Sequence, residues 1–234
     1  MNEFRSFYDK STGWFFLDFE PWSLYLRIPS AFKFPISSHC HQDYGSPVID
    51  HYYNEVIIDP GRSSYMPESN HQLSAEAHST ILINGEQIFP SERDLPNFPT
   101  FFSKLKFKFY YLGNSIHIFI RFPISIANKF KIKYAIRFIC ISSKSIEIID
   151  RIKFIRNSSV YSSYNFPSVL PNLNIKYICS VDYQTPNVIP ISDNSTYLKK
   201  IERAKNYCNV SNSNIFTFTS KVSDCFNSQL CITI

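Results

Sequence analysis

The stretch HCHQDYGSPVIDHYYNEVIIDPG, His39 to Gly61, opens with two histidines two residues apart. A carboxylate follows at Asp43, and an apolar run ends in Asp-Pro-Gly at Asp59. A third histidine, His78, comes in AEAHSTILINGEQ. In an extended segment, side chains at i and i+2 point to the same side. His39 and His41 are then neighbouring ligands, or one ligand beside one catalytic group. A reactive zinc site uses three protein groups drawn from His, Asp, Glu or Cys and leaves a further position to water. His41, Asp59 and His78 supply such a set, each at the edge of an apolar strand (41 to 59, then 59 to 78). Each interval is the length of a strand, a return loop and a strand, so a sheet can gather the three. The same residues also read as scattered surface polar groups, and Asp-Pro-Gly makes a good turn without any metal. Cys40 falls on the opposite face by alternation and reads as a buried thiol. His51, His71 and His117 read as ordinary surface or core residues.

The elements that must position these groups read as strands. The chain has 234 residues, 44% hydrophobic and 18% charged, with 22 Phe, 15 Tyr, 14 Pro and only five Gly. Aromatic and β-branched residues favour pleated surfaces, and so few glycines argue against a glycine-rich phosphate loop. TGWFFLDFEPWSLYLRI reads as two short strands broken at Pro21, SSHCHQDYGS as a loop or strand edge, and NEVIIDPG as a strand stopped by a turn. In STILINGEQIF, Asn84-Gly85 between two apolar runs is a strong hairpin signal. From Phe101 onward the alternation is long: Lys104, Lys106 and Lys108 alternate with Leu105, Phe107 and Phe109, and Lys129, Lys131 and Lys133 with Phe130, Ile132 and Tyr134. One face then lies on a core and the other in water. These lysines suit an acidic-polysaccharide groove, but a solvated outer face with edge-protecting lysines is the better reading. The expected fold is a single all-β antiparallel sandwich over residues 1–234, with one short helix near 195–208, where STYLKKIERAKNYC has helix formers and neither Pro nor Gly. The Asn- and Ser-rich patches near 157–165 and 206–214 read as loops.

A formal net charge of +5 suits an acidic partner without requiring one. The six cysteines are scattered with no CxxC pair, so they form neither a disulfide framework nor a zinc knuckle by spacing. The amino-terminal MNEFRSFYDKSTGWFF lacks the pattern of a signal peptide, and no apolar run is long enough to span a membrane. No nucleic-acid motif is apparent.

HCHQDYGSPVI, VIIDPGRSSY and AHSTILINGE, in that order, resemble the C-terminal domain of the heparinase II/III family of polysaccharide lyases. That family carries a His-x-His-x-Asp element, a strand ending in Asp-Pro-Gly, and an Ala-His-Asn-Thr element before a hairpin. The resemblance starts near Ser11 and extends, more weakly, through RFICISSKSIEIIDRIKF, similar to a strand pair of the same domain with an Arg-x-x-Asp-Arg style ending. It implies zinc ligands at His41, Asp59 and His78, a groove histidine at His39, and a supporting carboxylate at Asp43 that orients a histidine. Tyr65 matches a commonly aromatic position of no assigned role. Departures are Ser79 where the family has Asn, Leu73 and Ser74 where it often has Arg, and Tyr44, Gly45 and Ser46 in place of Leu-Ser-Phe.

The implied reaction is β-elimination on an acidic, uronic-acid-containing glycan. It needs the uronate carboxylate neutralised, the C5 proton removed and the leaving oxygen protonated. His39 is open to two roles, base or carboxylate neutraliser. The family supplies the acid, a tyrosine, from a helical toroid that residues 1–38 are too short to form. The resemblance thus implies either a lyase unit completed by a separately encoded toroid, or a non-catalytic remnant or glycan-binding module linked to cell-envelope polysaccharide metabolism. Family members usually work outside the cytoplasm.

Overall fold

A computed structural model describes residues 4–10, 12–28, 43, 45–59, 61, 77–83, 86–87, 106–121, 132–154, 172–180, 187–191, 195–206, 209–221 and 225–233. Among them lie sixteen strands and no α-helix. The first group is β1 (Phe4–Asp9), β2 (Trp14–Phe19), β3 (Trp22–Arg27), β4 (Pro47–His51), β5 (Asn54–Ile57), β6 (Ile81–Ile83) and β7 (Glu86–Gln87). Next come β8 (Lys106–Leu112), β9 (Ser115–Arg121), β10 (Ile132–Ser142) and β11 (Ser145–Phe154). The last are β12 (Asn172–Ser180), β13 (Asn187–Ile191), β14 (Ser195–Asn206), β15 (Asn209–Lys221) and β16 (Cys225–Thr233).

They form an all-β antiparallel sandwich. A ten-stranded sheet runs β1-β2-β3-β4-β5-β12-β15-β14, with β6 also on β12 and β7 on β6. A six-stranded sheet runs β13-β16-β11-β10-β9-β8. Period-two patterning explains the layering. On β9, Ile116, Ile118 and Ile120 are buried while His117, Phe119 and Arg121 alternate outward. On β2 and β3, Phe15, Leu17, Phe19, Trp22, Leu24 and Leu26 turn inward and share one core with the isoleucines of the other sheet. Aromatic rings close the sandwich along one side. Phe15 lies 5.0 Å from Phe107 and 5.1 Å from Phe109, and Phe4 stacks on Tyr111 at 5.7 Å.

The strand pair around Pro21, the strand before Asp-Pro-Gly and the Asn-Gly hairpin are present; across the last, Ile83 pairs with Glu86. The helix expected near 195–208 is not. Ser195–Asn206 is β14, paired with β15 from Ser195↔Thr219 to Asn206↔Asn209. Three apolar residues, at 198, 201 and 204, make too thin a stripe to dock a helix, and a helix this short is marginal without docking. The antiparallel ladder to β15 satisfies the same backbone groups. That ladder also makes strand of 209–214, read as loop from its Asn and Ser content. Residues 157–165 lie outside the described set.

β4 and β5 are joined through Tyr52 and Tyr53, at φ 46° and 67°. A two-residue hairpin needs this left-handed pair to match strand twist, and it normally uses Asn-Gly. The Asn54 side chain supports the turn by donating to the carbonyls of His51 (3.3 Å) and Tyr52 (3.2 Å). A left-handed conformation costs a non-glycine residue roughly 1–2 kcal/mol. Tyr52→Asn combined with Tyr53→Gly is therefore expected to raise stability by about 1–2 kcal/mol in urea denaturation, with m unchanged.

Candidate functional site at an interrupted sheet edge

The sequence-predicted groups Asp59 and His78 meet because of how β12 is paired. β5 and β6 both run antiparallel to β12 on one edge, β5 through Cys179↔Ile57 and β6 through Ile175↔Ile81 to Leu173↔Ile83. They are collinear segments of one interrupted strand. The chain leaves the edge just after Ile58, at Asp59, and rejoins it just after His78. Both residues flank the gap, and His78 Nδ1 stands 3.5 Å from Asp59 Oδ2. The Asp59 carboxylate is aimed by its own turn, in which Gly61 N–H donates to Oδ1 at 2.7 Å. His78 is fully buried, while about a third of the Asp59 side chain is exposed. The pair thus has a protein side and a solvent side.

The segment preceding β4 forms the third wall. Gly45 N–H donates to the Arg27 carbonyl at 2.7 Å, and Ser46 N–H donates to the Asp43 carbonyl at 2.9 Å. Ser46 Oγ accepts the Ser79 N–H at 3.1 Å, which ties this wall to the histidine segment. Asp43 is buried and faces Arg27, Nη1 to Oδ1 at 3.5 Å. Burial pushes its carboxyl up to about 6; Arg27 pulls the other way, and the negative charge of Asp59 adds to the rise. Asp43 therefore lies within electrostatic reach of Asp59.

A buried cation that the motif reading did not single out holds these segments together. Arg137 on β10 pairs directly with Asp150 on β11. Its Nε and Nη2 donate to the two Asp150 oxygens at 2.8 and 2.9 Å. Its Nη1 donates to the carbonyls of Gly45 (2.7 Å) and Ser79 (2.9 Å). One guanidinium of the six-stranded sheet thus clamps two loops of the ten-stranded one. The signal was in the sequence: an Arg at inward parity among Ala135, Ile139 and Ile141, and an Asp at inward parity among Ile146, Ile148 and Ile152. Opposite charges on one apolar face of a hairpin imply a paired, buried bridge.

A carboxylate and an imidazole at this separation fit a shared cation. Two donors bonded to tetrahedral zinc at about 2.0–2.2 Å stand about 3.4 Å apart. They equally fit a His–Asp ion pair. His39, Cys40, His41, Tyr65 and His71 lie outside the described residues. Among the described residues, no third His, Cys, Asp or Glu completes a metal-holding group. His51 packs between Trp22 and Tyr52 (4.8 Å to each), and His117 stacks on Tyr110 at 5.3 Å, both remote from the gap.

Residues 4–95 match a family model described as heparinase II/III-like, C-terminal, a span that holds all three motif segments. No curated protein matches the chain in sequence. In fold it is similar to the heparan sulfate lyase HepC from Pedobacter heparinus, with TM-score 0.66 and 14% identity over 97% of this chain and 36% of that one. A mutant of the same lyase gives TM-score 0.67 at the same identity and coverage. A heparinase III gene product gives TM-score 0.69 and 11% identity over 100% of this chain and 36% of that one. The likeness is remote in sequence and is one of fold. The chain spans about a third of the length of these solved structures.

Two outcomes follow for the site's framework. Arg137→Met leaves the Asp150 carboxylate buried without its cation, so a loss of about 3–5 kcal/mol is expected in chemical denaturation. Adding Asp150→Leu removes that charge but not the two bereft carbonyls, so a loss of about 1–3 kcal/mol is expected to persist. Asp43 sets a pH dependence. Its folded value lies above its unfolded one, so in chelator its cost to stability grows as pH rises from 3.8 to about 6 and is full above that. Asp43→Asn is expected to remove a fall of roughly 2–3 kcal/mol between about pH 4 and pH 7, measured by urea denaturation in EDTA.

Proposed function

We propose that the chain is the C-terminal β-sandwich unit of a heparinase II/III-like polysaccharide lyase, supporting β-elimination on acidic, uronic-acid-containing glycans. The observation that carries this reading is the 3.5 Å approach of His78 Nδ1 to Asp59 Oδ2 at the interrupted edge, inside the span matched by the family model. His41, Asp59 and His78 are the residues proposed to hold zinc. When bound, zinc supplies a fixed positive charge and a clamp on the three ligand-bearing segments. Asp43 serves as the carboxylate that orients a histidine of this set. His39, two residues before His41, takes the C5 proton of the uronate or neutralises its carboxylate. Protonation of the leaving oxygen at C4 needs an acid, and the reading assigns it to a helical toroid domain. The fold relatives, of whose length this chain spans 36%, leave room for such a partner. A setting outside the cytoplasm, in cell-envelope polysaccharide metabolism, goes with this assignment.

The test is elemental analysis of the purified chain, followed by ultraviolet detection of unsaturated uronate on heparan sulfate and alginate. About one zinc per chain is expected, falling to background in His41→Ala and Asp59→Asn. Turnover is expected to rise when a toroid domain is added and to vanish in His39→Ala. Zinc retained without turnover in either setting would reduce the chain to a glycan-binding module; zinc absent from the wild type would sink the metal assignment.

A further inference from the structure

The outward face of the six-stranded sheet is built differently from the ligand-bearing edge. Across its strands, Lys106 pairs with Arg121, Arg121 with Ile136, and Ile136 with Arg151. The neighbouring row runs Lys108, Phe119, Phe138 and Ile149. Lys108, Arg151 and Lys153 are exposed and Arg121 half-exposed. Arg121 and Arg151 are two strand spacings apart, about 10 Å. On this face, among the described side chains, the acid is Glu147, which sits between Cys140 and Cys231 in a further row. The ion pairs Arg27–Asp43, His78–Asp59 and Arg137–Asp150 lie elsewhere.

Lysines on an edge strand guard against sheet-to-sheet pairing, which accounts for Lys108 on β8. It does not account for Arg121, Arg151 and Lys153, which stand on the interior strands β9 and β11. Arg151 and Lys153, two residues apart on one strand and so about 7 Å apart, lie within the screening length of about 8 Å, and the described side chains of this face present clustered positive charge. Two of the cations are arginines, whose planar fork suits carboxylate and sulfate groups. Arg151 lies over the Phe138 ring at 5.8 Å, and Phe119 meets Phe138 edge-on at 5.0 Å. These rings pack on each other within the face and hold the guanidinium, so they do not offer the free stacking platforms that single-stranded nucleic acid uses.

We propose that this face binds a linear acidic polysaccharide, with Arg121 and Arg151 meeting its carboxylate or sulfate groups, at a surface separate from the interrupted edge. Naming a saccharide among polyanions rests on the function proposed above; the charged face itself does not. The full chain is tested by surface binding to polygalacturonate and heparin, with dextran as the neutral control and poly(dT) as the nucleic-acid arm. Wild-type binding to the acidic polysaccharides is expected and should weaken with added salt. Arg121→Gln/Arg151→Gln should weaken it about tenfold or more, while Arg5→Gln/Lys10→Gln, removing equal charge from the β1 side of the other sheet, should stay within about twofold. Asp59→Asn should bind like wild type, so loss of the metal reading leaves this result standing. Equal weakening in both double variants, no retention of either polysaccharide, or tighter retention of poly(dT) would overturn the proposal.

Discussion

A single buried guanidinium organises the molecule. Arg137 leaves the core face of one sheet, donates to both oxygens of Asp150 beside it, and gives two further hydrogen bonds to the carbonyls of Gly45 and Ser79. Taking two charges out of water is costly, and Coulomb attraction offsets that cost only when the geometry is good and the leftover donors are used. Here the leftover donors are used on loops. The same atoms that make the ion pair tolerable also fix the backbone that precedes β4 and the backbone that follows His78. Stability and the placement of the Gly45 and Ser79 segments beside the site are therefore linked through one side chain.

Much of this could be read before any coordinates. The two strands about Pro21 and the lysine-alternating runs at 104–109 and 129–134 were legible, and β2, β3, β8 and β10 are strands there. Asp59 and His78 were singled out by residue type and strand-edge position, and the sheet brings them together. What could not be read was the reason. Nothing local announces that β5 and β6 share an edge of β12, because that strand lies about a hundred residues further along the chain. β14 misled for the opposite cause: its local preference was helical, and a thirteen-residue partner strand, Asn209–Lys221, outweighed it. Local propensity is a weak prior wherever a long ladder is on offer.

The two faces of the sandwich divide the work. Sheet interiors meet over Phe15, Trp22, Ile118 and Ile148 to make one apolar layer. The edge of the larger sheet carries the histidine–carboxylate pair, and the outside of the smaller one carries Lys108, Arg121, Arg151 and Lys153. The fold relatives are almost three times as long as this chain, so their sandwich works beside a great deal of further protein. The sandwich thus carries the Asp59–His78 pair at its rim and a cluster of cations on its back.

The gap between β5 and β6 has one more consequence. β5 and β6 are pinned to β12 independently, at Cys179↔Ile57 and from Ile175↔Ile81 to Leu173↔Ile83. The distance between the two chain ends at the gap is therefore measured out along β12, between Cys179 and Ile175. A bulge or slip in that short stretch, far away in the sequence, would retune the pair.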